Sequence, residues 1–351
     1  MTSQLPLEDP TPPLVDAEAL SSYLDDRLLG DGPFDVARHQ AGHSNETFFV
    51  RRSGEEWVLR RPPRGAFLPT AHDVMREHRV LSALADTPVR TPRPLLACDD
   101  ESVIGAPFYV MERVNGVVIR DRLPDWATEE ERRRIGEDLI DALVELHAVD
   151  WQRLGLDGWG RATGYLDRQL KRWSGQLELT VPLTRPLSDL EKAGRWLADN
   201  KPESAASTIV HGDYKLDNVV LDAAAPARIA GILDWEMSTI GDPIADLGYL
   251  LSFWRDPGDQ ADRVLSEQFD LTRQPGFPSR DELAKRYADR SGRHVDDVTW
   301  YEVLAIWKLA ILLEGSYARH LAGVTDDPFF ALLEDGVPAL ARRALKVADT
   351  G

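Results

Sequence analysis

The chain has 351 residues, enough for one large or two smaller domains with ample core. Its 59 acidic residues against 41 Lys and Arg leave a net charge of −18, which argues against nonspecific nucleic-acid binding because a phosphate backbone would be repelled. The lone Cys98 excludes an intrachain disulfide framework and any multi-cysteine metal site, and is expected to be a small buried residue.

The polar, Pro-rich start from Met1 to Pro13 lacks a signal-peptide core, and no apolar run reaches the length of a membrane span. A cytoplasmic protein is expected, with no membrane partner. Phe34-Asp35-Val36-Ala37 and Thr47-Phe48-Phe49-Val50-Arg51 read as strands around a turn, residues 41–46, that contains Gly42. Ser53-Gly54 then turns the chain into Glu56-Trp57-Val58-Leu59-Arg60. Residues 71–85 place Val74, Val80, Leu81 and Leu84 at helical spacing, with Glu77 near the middle. Leu95-Leu96-Ala97-Cys98 and Phe108-Tyr109-Val110-Met111 are two further strands. After Gly116 the pattern becomes helical. Residues 128–147 open on Thr128-Glu129-Glu130-Glu131, a capping-box pattern, and carry Ile135, Leu139, Ile140, Leu143 and Leu146. Helices are also expected near 161–177, 187–200 and 298–321, and Gly241-Asp242-Pro243 opens another through Asp246.

The chemistry is concentrated in His211-Gly212-Asp213-Tyr214-Lys215-Leu216-Asp217-Asn218, followed by Ile232-Leu233-Asp234-Trp235-Glu236. This spacing suits phosphoryl transfer, which needs positioning and charge neutralisation more than covalent help. Asp213 would accept the proton of an attacking hydroxyl. Asn218 and Asp234 offer the oxygen ligands that Mg²⁺ prefers. Between them, 219–221 and 229–233 read as two buried strands whose hairpin would return Asp234 to Asn218. Lys215 would offset charge on the phosphoryl group.

These motifs resemble the aminoglycoside phosphotransferase superfamily, the small-molecule relatives of protein kinases, whose His-Gly-Asp and downstream Asp match Asp213, Asn218 and Asp234. Within it the chain is most similar to the kinase-like domain fused to some acyl-CoA dehydrogenases. Gly42-His43-Ser44-Asn45, Val58-Leu59-Arg60-Arg61-Pro62-Pro63 and Gly241-Asp242-Pro243 before Asp246-Leu247-Gly248 carry that likeness. It implies a two-lobed, protein-kinase-like α+β fold: an extension over 1–33, a nucleotide-binding lobe over 34–115 with an antiparallel sheet and one helix, and a mostly helical lobe over 116–351. It implies ATP, or GTP, with Mg²⁺ as cofactors. Gly42, Ser44 and Asn45 would cover the phosphates. Arg60, or its neighbour Arg61, stands where kinases keep a phosphate-binding Lys, and Glu77 would pair with Arg60 rather than remain solvated. Met111, Glu112 and Val114 fall at the adenine hinge, although Met111 also suits plain core. Asp246 resembles the buried Asp that holds the catalytic loop, with His147 as a structural brace.

The resemblance implies a hydroxy acid or a hydroxyacyl-CoA as acceptor, with an aminoglycoside as the competing choice. Inserts such as 161–200 help to build the acceptor pocket in this family, and Glu314, Tyr317 and Arg319 lie where the fold often faces the acceptor. Arg319 would bind an anion or sit in a surface salt bridge; Trp173 would be pocket or core. A polycationic drug calls for a carboxylate-lined pocket, whereas a CoA thioester needs basic groups. A catalytically silent nucleotide-binding module is the alternative of another class. The replacement of the usual Lys by Arg60 hints at it, and the retention of Asp213, Asn218 and Asp234 opposes it.

Overall fold

Alternation of apolar and polar residues along the first strands builds a five-stranded antiparallel sheet of order β1-β2-β3-β5-β4. Its strands are β1 (Phe34–His39), β2 (Glu46–Arg52), β3 (Glu55–Arg61), β4 (Pro94–Cys98) and β5 (Phe108–Glu112). The computed structural model describes residues 14–25, 27–28, 32–39, 45–64, 73–204, 206–259, 270–324 and 327–350. Gly42 and Ser44, expected over the phosphates, lie outside the described residues, as do residues 71–72 at the start of the predicted helix.

The chain forms two compact units: one runs to Ser82 and includes Pro92–Arg113, and the other comprises Ala83–Thr91 and Val114–Gly351. In the first, one sheet face carries Phe48, Val50, Trp57, Leu59, Phe108 and Val110. That face is packed by Leu20 and Leu24 of α1 (Ala17–Leu24), a helix within the extension expected over 1–33. Asp16 caps α1 by accepting from the Glu18 and Ala19 N–H groups, both at 3.0 Å. Each fully buried leucine contributes about 1.5–3 kcal/mol. Cys98 is buried in this core, as expected of a small apolar residue.

In the second unit, α3 (Glu129–His147) is buried along Ile135, Leu139, Ile140, Leu143 and Leu146. The expected capping box is only half formed. Thr128 accepts from the Glu131 N–H at 3.3 Å, but the Glu131 carboxylate turns to the buried Ala227 N–H at 2.6 Å. A buried donor left unpaired would cost more than the reciprocal cap returns. Helices α4 (Tyr165–Thr180) and α5 (Ser188–Asp199) form the predicted insert. Strand β6 (Thr208–Val210) pairs with β9 (Thr239–Gly241), a strand too short to show in the sequence pattern. Between them β7 (Val219–Leu221) and β8 (Ile229–Ile232) form a hairpin. Among the described residues α6 (Ile244–Phe253), α7 (Arg280–Ser291), α8 (Val298–Leu321) and α9 (Leu333–Ala348) follow. Gly248 sits where α6 meets α8, and a Cβ there would lie 2.4 Å from that of Tyr301. That close approach lets the Tyr301 hydroxyl donate to Asp242 at 2.8 Å, at the mouth of α6.

The expectation for Glu314 is corrected, as is the surface salt bridge weighed for Arg319. Glu314 is 0% exposed and paired with Arg185 at 3.2 Å, and the Arg185 guanidinium lies over the Tyr317 ring. Arg319 is exposed and donates to the Ser316 hydroxyl at 3.0 Å; no carboxylate among the described residues stands within 4.0 Å of it.

Candidate active site

Two short loops, one after β6 and one after β8, are joined by the β7–β8 hairpin. Val219 pairs with Ile232, and the Leu233 N–H donates to the Asn218 carbonyl at 2.8 Å. This places Asn218 and Asp234 at one end of the hairpin. Asn218 uses its Nδ2 on both the Asp213 carbonyl (2.8 Å) and the Asp213 carboxylate (2.6 Å). Neither bond involves its Oδ1. Asp234 adopts left-handed backbone angles, φ 63 and ψ 67, which Asp tolerates better than most residues. The Glu236 carboxylate lies within 4.8 Å of that of Asp234. This set of Asn and carboxylate oxygens is hard and anionic and fits Mg²⁺. Glu236 stood in the sequence motif but was not singled out as a ligand.

The loop after β6 is braced from beneath by Asp246, which is 1% exposed. Its carboxylate accepts from the His211 N–H at 2.6 Å and the Gly212 N–H at 2.8 Å. Gly212 has φ +83, and a Cβ would meet the Met237 carbonyl at 2.7 Å, so a side chain there would be strained and obstructed. His211 donates from Nε2 to the Leu233 carbonyl at 2.7 Å and accepts the Asp213 N–H at Nδ1, 3.3 Å, tying the two loops together. His147 is neutral: its Nε2–H donates to Asp246 at 3.2 Å, while Nδ1 accepts from the Tyr287 hydroxyl at 2.8 Å. Removing Asp246 leaves one buried backbone donor, one half-buried donor and a histidine without an acceptor. Asp246→Ala should therefore lose about 3–5 kcal/mol of stability in urea unfolding, whereas a surface Asp→Ala would lose little.

Burial lowers the His147 pKa below the ordinary 6.5, outweighing the pull of Asp246. At pH values between its folded and unfolded pKa the unfolded chain binds more protons, so stability is complete above about 6.5 and falls with pH below it, by up to ~1.4 kcal/mol per pH unit. Unfolding free energies between about pH 7.5 and 5.5 should show that slope, and His147→Gln should flatten it.

Around Asp213, burial alone would raise the carboxyl pKa. Lys215, the Tyr249 hydroxyl and Lys308 outweigh it and hold the carboxyl below the ordinary 3.8. Lys215 stands 3.4 Å from Asp213 and 3.5 Å from Asp217. Burial opposes its charge, but both carboxylates raise its pKa. Lys308, on α8, donates to the Gly212 carbonyl at 2.9 Å. The sequence reading missed it, and nothing in its local pattern separates it from any lysine on a helix. Arg90 was also missed. It pairs with Glu145 at 2.8 Å and Asp138 at 2.5 Å and donates to the Ile229 carbonyl at 3.2 Å, which stitches 83–91 to α3 and β8.

The first unit holds the other predicted residues. The Arg60 guanidinium pairs with Glu77 at 3.0 Å and donates to the Thr47 hydroxyl at 2.9 Å. Glu77, 1% exposed, also accepts from the Tyr109 hydroxyl at 3.0 Å. Arg61, one pleat on, points to the opposite face and donates to the carbonyls of Leu14, Ile104 and Pro62. Strand alternation thus leaves Arg60, not Arg61, beside Glu77. Met111 is buried on the same sheet face as Tyr109. Glu112 is exposed, and its N–H donates to the Arg93 carbonyl at 2.8 Å. Val114, in the second unit, is half-buried against Gly231. Asn45 is 6% exposed, and neither atom of its amide finds a partner among the described residues.

A sheet unit with a braced strand cation and a helical unit with an Asp–Asn–Asp loop pair define a kinase-like phosphotransferase. The profile described as the phosphotransferase enzyme family (APH) matches residues 35–288, and the chain belongs to that family. It is 34% identical to acyl-CoA dehydrogenase family member 11 of Rattus norvegicus over 341 residues, which is 95% of this chain and 43% of that protein. The chain thus spans less than half the length of this relative. A crystal structure of a candidate aminoglycoside phosphotransferase from Ralstonia eutropha JMP134 superposes with TM-score 0.81 at 31% identity, covering 96% of this chain and 99% of the other. A thermostable mutant of aminoglycoside phosphotransferase APH(4)-Ia, solved in a ternary complex with ADP and hygromycin B, shares the fold at TM-score 0.60 and 16% identity, covering 95% of this chain and 98% of the other. Among the described residues, no helix is long and apolar enough to cross a membrane.

Proposed function

We propose that the protein is a kinase that moves the γ-phosphoryl group of ATP, or of GTP, to a hydroxyl of a small molecule. One observation carries this reading: Asn218 is bonded to Asp213 while the hairpin it begins returns Asp234 to its side. Asp213, ionised at neutral pH, orients the acceptor hydroxyl and takes its proton. Lys215 offsets charge on the group in transit. Asn218 and Asp234, with Glu236 beside them, would hold Mg²⁺. When bound, Mg²⁺ neutralises charge on the nucleotide phosphates. In the first unit Arg60, fixed by Glu77, is assigned the α/β-phosphates, and Gly42, Ser44 and Asn45 the covering turn. Met111, Glu112 and Val114 are assigned to the adenine.

The acceptor is a hydroxy acid or hydroxyacyl-CoA, on the strength of the relatives joined to acyl-CoA dehydrogenases. ATP consumption with Mg²⁺, across hydroxy acids, hydroxyacyl-CoAs and aminoglycosides, tests both parts of the reading. Turnover confined to the first two classes is expected. Turnover with aminoglycosides alone would replace the acceptor, and tight Mg·ATP binding with no turnover on any acceptor would favour a silent module.

A further inference from the structure

Many cations of this acidic protein pair with carboxylates. Lys308 and Arg172 do not. Lys308 is half-buried on α8; its Nζ donates to the Gly212 carbonyl at 2.9 Å and lies 5.8 Å from the Trp173 ring centre and 5.1 Å from that of Tyr249. Arg172, exposed on α4, stacks its guanidinium on the same Trp173 ring at 5.0 Å. Among the described residues no carboxylate stands within 4.0 Å of either cation. Tyr249, the other ring beside Lys308, is among the groups that lower the Asp213 pKa. The two cations therefore share an aromatic wall that leads to the base, on a chain whose net charge is −18.

Among the described residues the half-buried Lys308 ammonium is met by a carbonyl and two ring faces, with no carboxylate within 4.0 Å to offset its burial. Its burial brings the Lys308 pKa down to about 8, and Arg172 and Lys215 add to the fall against the opposing pull of Asp213 and Asp246. It is still protonated near neutrality. Resting on the reading of Asp213 as the base, we propose that Lys308, with Arg172 behind it, binds a carboxylate of the acceptor. The substrate is then a free hydroxy acid whose carboxylate lies a few atoms from the hydroxyl being phosphorylated. Lys308 touches the residue next to the base, so the anion it receives must be close to the reacting oxygen. A thioester carries no charge at that carbon, and the phosphates of CoA lie at the far end of a long arm. A polycationic aminoglycoside would meet two cations beside the base.

The test compares 3-, 4- and 5-hydroxyalkanoates with diols of equal length and with the corresponding CoA thioesters. Each is assayed by ATP consumption and by calorimetric binding, on wild type, Lys308→Met, Lys308→Arg and Asp213→Asn. Wild type should prefer one acid over its diol and its thioester. Lys308→Met should raise KM and Kd for that acid ~10–100-fold with kcat within a few-fold, as expected for loss of a charge-assisted contact. Lys308→Arg should recover most of the affinity, and KM for the diol should not respond. Asp213→Asn should keep the binding and lose the turnover. An equal fall in kcat for acid and diol in Lys308→Met would reduce Lys308 to a prop for the Gly212 carbonyl and overturn the proposal. So would a wild type that prefers the thioester or diol, or that binds no acid. Undiminished turnover in Asp213→Asn would instead overturn the base, leaving the affinity effect of Lys308 to stand or fall on its own.

Discussion

Asp213→Asn should lower kcat by ~10²–10⁴ while leaving nucleotide affinity nearly unchanged. The substitution preserves shape, and an amide oxygen can still accept from Asn218 Nδ2, so the loop that Asp246 and His211 hold should keep its place. What is lost is the proton acceptor of the proposed mechanism. Lys215, Tyr249 and Lys308 together overcome the burial that would otherwise raise the Asp213 pKa, so the carboxylate is charged throughout the neutral range. The wild-type kcat should therefore stay flat as pH falls toward about 5 and decline only as Asp213 protonates, below the ordinary carboxylate value of 3.8. Steady-state rates against pH, with nucleotide affinity measured separately by calorimetry, read both effects. Full turnover in Asp213→Asn would mean that another group takes the proton.

Asp234→Ala should abolish Mg²⁺-dependent nucleotide binding, an expected loss of at least ~10²-fold, and turnover should disappear with it. Two effects must be separated. Asp234 sits at φ 63, where alanine costs about 1–2 kcal/mol more than a residue that tolerates the left-handed region. Asp234→Asn keeps that tolerance and most of the volume but removes the charge. If charge at the metal position is the cause, both variants should lose the Mg²⁺-dependent part of nucleotide binding, and only the alanine variant should also unfold more easily. Retained Mg²⁺-dependent binding in both would pass the ligand role to Glu236, whose carboxylate is within 4.8 Å.

The sequence by itself determined the parts of this protein whose chemistry is local along the chain. His211-Gly212-Asp213 and Asn218 stand on one short loop, and the two strands that follow are joined closely enough that only a hairpin connects them. The return of Asp234 to Asn218 is then a consequence of spacing. Strand alternation and helical periodicity likewise placed the sheet of the first unit and the buried stripe of α3. The pairing of Arg60 with Glu77 was legible from the order of strand and helix, although the choice between Arg60 and Arg61 needed the pleat, which turns adjacent residues to opposite faces.

Tertiary structure alone decided where distant helices bring their charges. Whether Glu314 faces an acceptor or lies beneath Arg185 depends on a contact between residues 129 positions apart, and no period in the sequence carries it. The Glu131 carboxylate gave up its local cap because a buried N–H 96 positions away needed an acceptor. Lys308 lies 96 positions from the Gly212 carbonyl it touches, and its neighbours on α8 only mark it as part of an apolar helix. Local pattern sets which face of an element is apolar. The docking of α4, α6 and α8 beside the catalytic loop then selects which of the remaining polar groups lose their water and need a partner.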